Sequence, residues 1–456
     1  MSELKIHFLG AAETVTGSKF YIETPEKNIL IDCGVFQGLK KLREYNRREL
    51  PIDVSNIDMV LLTHGHLDHT GYLPKLVKDG YKGKIYGTAP TLKVTEIILL
   101  DSAKIQEEEA DRANKEGYSK HSPALPFYDT GDVKKTLLRF EAVKKDEWHQ
   151  ISSNIEYRFL YNGHIIGSVY IELEMFGKIF VFSGDLGRKD DPLLMNPLKP
   201  RWADYIFMES TYGNKLHPEI DVAERLASLI NKTVENGGTV IIPSFAVERL
   251  QVLMVLLWQL VQKNKIPEIP IYIDSPMGSN VLSVFESYPD WHKVHMSDYY
   301  AAKHQMNIVS SYKETWEVID NLKPKIIIAG SGMVTGGRAL TYLQQMIDVS
   351  HHAVILVGYQ AEGTRGRQLI DGAHEIKLFG KYYEVKASIH LMENLSAHAD
   401  QQELLDWLGE IKNIPENVFL IHGEASAADA LRVKIKDQYG WRVTIPELFN
   451  VSTIVI

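Results

Sequence analysis

The chain has a single cysteine, Cys33, among 456 residues. An intrachain disulfide is impossible and a thiolate metal cluster is excluded, so any metal must be held by His, Asp or Glu. One lone thiol suits a reducing compartment, and a cytoplasmic location is the expectation. Beside a turn aspartate, Cys33 reads as a small buried residue rather than a redox group. Long apolar runs are also missing. The most apolar helical run, "LQVLMVLLWQLV" (250–261), falls far short of the roughly 20 residues that span a bilayer. It reads as a buried helix, and no membrane partner is expected. The N-terminal "MSELKIHFLG" lacks the basic start and long apolar core of a secretory signal. Positive charge is not in excess either, since the net charge is −9. Proteins that coat nucleic acid nonspecifically are normally basic. A nucleic-acid partner would therefore be met by local contacts or through metal ions. No long polar or repetitive tract appears, which argues against disorder.

What remains is a globular composition, 45% hydrophobic and 24% charged, in a chain too long for one ordinary core. Two domains are expected. "LKIHFLG", "SKFYIET" and "NILIDCG" read as strands, as do "IDMVLLT" and "GKIYGT", with "TGYLPKLVKDG" a helix between the last two. "TLKVTEIILLDSAKIQEEEADRANKEG" and "VKKTLLRFEAV" read as helices. "RANKEGYSKHSP" (112–123) is a solvated excursion, with a flexible RNA guide as the alternative. Strands return in "IEYRFLYNGHIIGSVYIELEMFGKIFVFSGDLG" and "ADYIFMEST". From about residue 215 the pattern becomes repeated strand–loop–helix units, the mark of a parallel α/β domain. The domains are expected at 1–209, 210–377 inserted, and 378–456 completing the first.

Residues 61–71, "LLTHGHLDHTG", follow an apolar strand directly. Imidazole and carboxylate are the ligands zinc takes when thiolates are absent. Alternate residues at a strand end point the same way, so His64 and His66 can face one ion. Asp68 and His69, one turn on, can face a second. Each zinc wants about four partners. His164 in "NGHIIGS", Asp185 in "FSGDLG" and His422 in "LIHGE" all follow strands beside glycine. They bring the set to seven, with Asp185 placed to bridge both ions. Asp32, in "NILIDCG", is either a turn aspartate or the carboxylate that orients a ligand histidine.

In that order, Asp32, "HGHLDH", His164 and Asp185 resemble the metallo-β-lactamase superfamily. The rest resembles its β-CASP branch, nucleases related to the cleavage and polyadenylation endonuclease and to ribonuclease J. Glu209 in "MESTYG" matches that branch's acidic motif, and His398 in "LSAHAD" and His422 match its two histidine motifs. The resemblance implies an αββα sandwich with an inserted parallel α/β β-CASP domain, and two Zn2+ per chain. It implies in-line hydrolysis of RNA to 5′-phosphate and 3′-hydroxyl ends, by endonuclease or 5′-exonuclease cleavage. Asp68, Asp185, Glu209 and His398 would be catalytic, with His398 the general acid and Glu209 its orienting partner. A histidine at 422 is associated with RNA-processing members, so single-stranded RNA is the expected partner, and a homodimer stays open. The chain ends soon after His422, as in a minimal bacterial form.

The inserted domain would hold the RNA backbone. "SGMVTGGR" (331–338) and "GTRGR" (363–367) follow parallel strands, where backbone amides bind phosphate well. Ser331, Arg338, Arg365 and Arg367, and more weakly Ser244, are the candidates for phosphate contact. Ordinary turns account for such strings equally well. Rival readings are a small-molecule hydrolase of the same superfamily, a DNA nuclease, and a non-catalytic scaffold, the last opposed by seven filled ligand positions.

Overall fold

The computed structural model describes residues 3–117, 121–218 and 221–456. Its chain divides into two compact units. The first comprises Met1–Lys189, Asn196–Leu216 and His398–Ile456. Short apolar strands build two seven-stranded sheets in it. One runs in the order Val451–Val455, Glu3–Phe8, Phe20–Glu23, Ile29–Ile31, Met59–Leu61, Lys84–Gly87, Phe140–Ala142. The other runs Val443–Thr444, Asn417–Ile421, Tyr205–Glu209, Lys178–Phe182, Val169–Met175, Ile155–Tyr161, His149–Ser152.

Strand alternation gives each sheet one face toward the other sheet, where phenylalanines meet, and one face toward the helices. Phe8 lies 5.4 Å from Phe419 and 6.1 Å from Phe207, and Phe20 lies 6.2 Å from Phe182, ring centre to ring centre. These rings form the layer between the sheets. On the far side of the first sheet, Leu30 and Val60 pack with Leu73, Leu76, Leu99 and Val133. Those partners come from helices Leu73–Lys78, Ala89–Glu116 and Thr130–Leu137. Behind the second sheet, Ile206, Met208 and Leu420 pack with Leu404, Leu408 and Leu431, from helices Gln401–Leu408 and Ala425–Tyr439. The result is an αββα sandwich.

Parallel pairing is what positions the site. Ile29–Ile31 is parallel to Met59–Leu61, and Tyr205–Glu209 is parallel to both Lys178–Phe182 and Asn417–Ile421. Parallel neighbours deliver their C-terminal ends to one edge, where loops from alternating elements converge. Asp32, Thr63–His64, Asp185, Ser210 and His422 all follow those ends.

The second unit comprises Asp190–Met195 and His217–Ala397. Its six-stranded sheet is parallel throughout, in the order Asn307–Ile308, Ile271–Asp274, Ile326–Ala329, Val240–Pro243, Ala353–Val357, Ser388–Met392. The central strands Ile326–Ala329, Val240–Pro243 and Ala353–Val357 are short apolar runs buried on both faces, as inner parallel strands require, while the edge strands Asn307–Ile308 and Ser388–Met392 are more exposed. The helix Arg249–Gln262 is buried over most of its surface, as its sequence suggests. Among the described residues no helix is long and apolar enough to cross a membrane.

Two expectations are corrected. The boundary placed at 377/378 falls at 397/398, because Ser388–Met392 pairs in register with Ala353–Val357 and so completes the inserted sheet. The boundary placed at 209/210 moves to 216/217, since Ser210 N–H donates to His422 O and Gln401 N–H to Lys215 O within the first unit. In "VKKTLLRFEAV" only the first half is helical. The helix stops at Leu137, and Phe140–Ala142 joins Lys84–Gly87 as an edge strand, a gain in backbone pairing that outweighs helix propensity. Of "RANKEGYSKHSP", 112–116 belong to the helix Ala89–Glu116, and 118–120 lie outside the described residues.

Leu257, fully buried in the helix Arg249–Gln262, tests the second unit's core. Leu257→Ala is expected to cost about 2–5 kcal/mol. A urea titration should show a lowered midpoint, and an unchanged midpoint would contradict this packing.

Candidate metal centre and its acid–base pair

His64 and His66 lie between the strand Met59–Leu61 and the short helix Leu67–Thr70, which carries Asp68 and His69. His164 sits in the loop joining Ile155–Tyr161 to Val169–Met175, and Asp185 in the loop after Lys178–Phe182. His422 directly follows Asn417–Ile421. The structure gathers these seven into two sets, His64, His66, His164 and Asp185 in one and Asp68, His69 and His422 in the other.

In the first set, His66 Nδ1 is 3.1 Å from His64 Nε2 and 3.2 Å from His164 Nε2. Asp185 Oδ2 is 3.5 Å from both of those Nε2 atoms. In the second, His69 Nε2 is 3.2 Å from His422 Nε2, and Asp68 Oδ2 is 3.5 Å from His422 Nε2. Asp185 turns its other oxygen, Oδ1, to within 3.2 Å of His69 Nε2. That oxygen is buried and accepts no hydrogen bond. A tetrahedral ion with bonds of about 2.0–2.1 Å has ligand–ligand edges of about 3.3–3.4 Å. The observed separations have that size, so both sets fit a divalent cation.

The protonation pattern suits ligation. Burial pushes the His64 and His164 imidazoles well below the usual histidine value, and His66 down to about 4, so these rings present lone pairs. Burial opposes the charge on Asp185, but His422, His69 and His64 hold its carboxyl well below the usual carboxylate range. At His69 burial also acts against the charge, and is outweighed by the Asp185 and Asp32 carboxylates, which hold the ring well above its ordinary value.

A surrounding shell fixes which nitrogen faces inward. Asp32 Oδ2 lies 2.7 Å from His69 Nδ1 and accepts the Thr63 hydroxyl at 2.7 Å, while Oδ1 accepts Thr63 N–H at 2.8 Å. With its hydrogen given to Asp32, Thr63 Oγ1 is the acceptor for His64 Nδ1, 3.1 Å away. Thr211 plays the same part at His422 Nδ1, at 3.2 Å. Asp32 and His422 both hold positive φ, 56° and 47°. Such backbone is costly outside glycine and collects at functional sites. Asn162 donates to the carbonyls of Ser183 and Asp185, and Ser168 Oγ accepts His164 N–H, which shapes the His164 and Asp185 loops. Thr63, Thr211, Asn162 and Ser168 carry no signal in the sequence beyond adjacency to a ligand. Cys33 is buried, with its thiol pushed up to about 12 by that burial.

Beside the ligands, His398 Nδ1 faces both oxygens of the fully buried Glu209, at 3.3 and 3.2 Å. Leu186 N–H also donates to Glu209. The His398 ring stands 4.6 Å from that of His164. Burial lowers the His398 pKa, but the Glu209 charge and hydrogen bond, with Asp185 and Asp68, lift it above the ordinary value.

The five phosphate-contact candidates all lie in the second unit, each with an internal partner. Ser331 Oγ accepts Thr335 and Gly336 N–H. The Arg338 guanidinium stacks 3.5 Å from the Tyr312 ring centre and donates to Thr315 Oγ1. Arg365 donates to Lys377 O, Arg367 to the Asp371 carboxylate, and the buried Ser244 to Phe245 O.

Three family profiles match the chain: "Metallo-beta-lactamase superfamily" at 15–146, "Beta-Casp domain" at 250–369 and "Zn-dependent metallo-hydrolase RNA specificity domain" at 382–446. Ribonuclease TTHA0252 of Thermus thermophilus is 33% identical, over 94% of this chain and 95% of that protein. The chain belongs to the β-CASP branch of the metallo-β-lactamase superfamily. Transcription termination factor FttA of Methanosarcina mazei is 31% identical to this β-CASP chain, over 99% of it and 71% of that protein. FttA of Methanocaldococcus jannaschii is 31% identical over 95% and 70%. A crystal structure of a protein of unknown function from Enterococcus faecalis V583 shares the fold, with a TM-score of 0.54 at 14% identity, over 99% of this chain and all of that one.

Removing the carboxylate behind His69 tests the shell of this β-CASP centre. Asp32→Ala is expected to weaken zinc binding about 10- to 100-fold, read by competition with a chromophoric chelator while the circular dichroism spectrum is retained. Undiminished affinity would reduce Asp32 to a turn residue.

Proposed function

We propose that the chain is a dizinc ribonuclease that hydrolyses phosphodiester bonds of single-stranded RNA, leaving 5′-phosphate and 3′-hydroxyl ends. The observation that carries the reading is an acid–base pair, the buried Glu209 and the partly exposed His398, standing against a seven-residue His/Asp set. Metal ligands alone are shared by many hydrolases. A leaving alkoxide, by contrast, needs a proton, and His398 is built to supply one. The name of Ribonuclease TTHA0252 and the "RNA specificity domain" match support RNA as the substrate. Zinc is favoured by an all-nitrogen and oxygen ligand set with tetrahedral edge lengths.

His64, His66 and His164 would hold one ion, Asp68, His69 and His422 the other, with Asp185 offering one oxygen to each. Bound ions would lower the pKa of a shared water and neutralise charge on the phosphate oxygens. The protein's own groups then act in sequence. Asp32 locks His69 with Nε2 inward, and Thr63 and Thr211 do so for His64 and His422. Glu209 accepts from His398 Nδ1, which orients the ring and supports its cationic form. Nε2 is then the atom that delivers a proton to the departing 3′-oxygen. Arg338, Arg365, Arg367, Ser331 and Ser244 remain candidates for phosphate contact, each at the expense of its internal partner.

Two results follow. Zinc-loaded protein should cleave single-stranded RNA in preference to DNA of the same sequence and to small esters, and distinct labels at the two ends of the RNA should reveal the mode of cleavage. His398→Ala should lose about 10²- to 10⁴-fold in rate with both zinc equivalents retained. RNA left intact across pH and metal conditions would sink the reading. The pH profile offers a second check. A general acid works only while protonated, so rate falls as pH rises through the His398 pKa. Because Glu209 raises that pKa, Glu209→Gln should move the alkaline limb to lower pH. A limb that stays in place would mean that another group titrates there.

A further inference from the structure

Lys19 is 1% exposed, yet no carboxylate pairs with it among the described residues. Its Nζ donates to Gly34 O at 2.6 Å and to Gly17 O at 3.0 Å. The ammonium also sits over two aromatic rings, 4.7 Å from the centre of Phe36 and 5.2 Å from that of Tyr72. Burying an ammonium without a counter-charge is costly, and here burial brings it down to about 8. A methionine would fill the same space at lower cost, so the charge calls for an explanation.

The two carbonyls supply it. Both belong to turns that grip the backbone of the Asp68–His69 segment. Ser18 N–H donates to Asp68 O at 2.8 Å, Cys33 N–H to His69 O at 2.7 Å and Val35 N–H to Leu67 O at 3.2 Å. In return Tyr72 N–H donates to Cys33 O at 2.8 Å, and Gly34 N–H ties the two turns together through Ser18 O at 2.9 Å. The fit around Gly34 is so close that a Cβ there would stand 1.6 Å from Asp68 O. Gly17, at φ 78°, and Asp32, at φ 56°, hold the turns in left-handed backbone. Lys19 is the side chain that bonds both turns at once.

We propose that Lys19 is a positioning residue for the second ligand set, its ammonium clamping the Gly17 and Gly34 turns so that the backbone between them presents Asp68 and His69 at ligand distance from His422. The direct backbone bonds of the two turns go to Leu67, Asp68 and His69 and none goes to His64, His66 or His164, so the larger effect falls on one ion. The inference rests on the dizinc reading above, and the zinc stoichiometry of the unaltered chain reports on that reading separately.

The test is Lys19→Met, which keeps the stem against Phe36 and Tyr72 and removes the donors. The affinity of each zinc equivalent is measured by chelator competition, alongside the unfolding midpoint. Leu99→Ala, fully buried on the helix Ala89–Glu116 and remote from the ligands in sequence, serves as the stability control. One equivalent should weaken about 10- to 100-fold in Lys19→Met, with the other within a few fold of the unaltered chain, while Leu99→Ala keeps both. Should Lys19→Met not fold, Lys19→Gln, which retains a shorter donor, should show the same one-site loss. Full affinity at both sites overturns the proposal. So does an equal loss at both in proportion to stability, and so does failure of both variants to fold, since Lys19 would then be a strut for the whole unit. An unaltered chain that takes up no zinc overturns the site reading itself, and this inference with it.

Discussion

Seven His and Asp side chains drawn together at ligand distance are the constraint on which the first unit depends. His66 Nδ1 stands 3.1 and 3.2 Å from two other ring nitrogens, and a neutral ring has at most one hydrogen to share between them, whereas a cation could satisfy all three lone pairs. The chain spends much of its architecture holding them there. Parallel pairing in both sheets brings the strand ends before Asp32, His64, Asp185 and His422 to one edge. Asp32 and His422 accept unfavourable backbone to aim inward. Thr63, Thr211 and Asp32 then remove the freedom of the imidazole rings to flip.

The acid–base pair uses the opposite electrostatics a short distance away. Among the first-set ligands burial dominates and the rings are neutral, whereas at His398 the Glu209 carboxylate overcomes burial and favours the cation. Two histidines with rings 4.6 Å apart, His164 and His398, are thus tuned in opposite directions. The difference is a matter of partner. His164 Nδ1 is buried with no hydrogen-bond partner, while His398 Nδ1 meets both oxygens of a carboxylate. The surroundings suit one group to give a lone pair and the other to give a proton.

Much of this was legible in the sequence because it is local. A strand running into "HGHLDH" declares ligands whatever the fold, and glycine beside His164, Asp185 and His422 marks loop tips. The strand–loop–helix units after 215 announce a parallel sheet. What stayed hidden depends on distant backbone. The partners of Lys19 are carbonyls that only the fold brings near. The strand Ser388–Met392 is visible as a strand, but its partner Ala353–Val357 is not, and so the boundary was placed too early. "RFEAV" carries helix-forming residues and becomes a strand because Lys84–Gly87 has an open edge. The arginines of the Gly-rich turns show the same limit. Sequence reports a cation next to glycine, and cannot report that Arg338 has Tyr312 and Thr315 to engage, or Arg365 the carbonyl of Lys377.

All seven candidate ligands, Glu209, His398 and Lys19 belong to the first unit, though they span the sequence from 19 to 422. The inserted unit interrupts the chain between Glu209 and His398, and among the described residues it contributes no member of either candidate ligand set. Ligand binding to a native site stabilises whatever must be folded for the site to exist. A cation here would therefore stabilise the sandwich, joining the "HGHLDH" loop to the strand before His422 and closing the chain around the insertion. Such a cation would also satisfy the lone pairs that the fold gathers at its own centre. A metal bound there and the sandwich would in this sense be mutually dependent. The strained backbone, the buried ammonium and the crowded imidazoles are costs that a metal-free chain bears alone and a loaded one offsets.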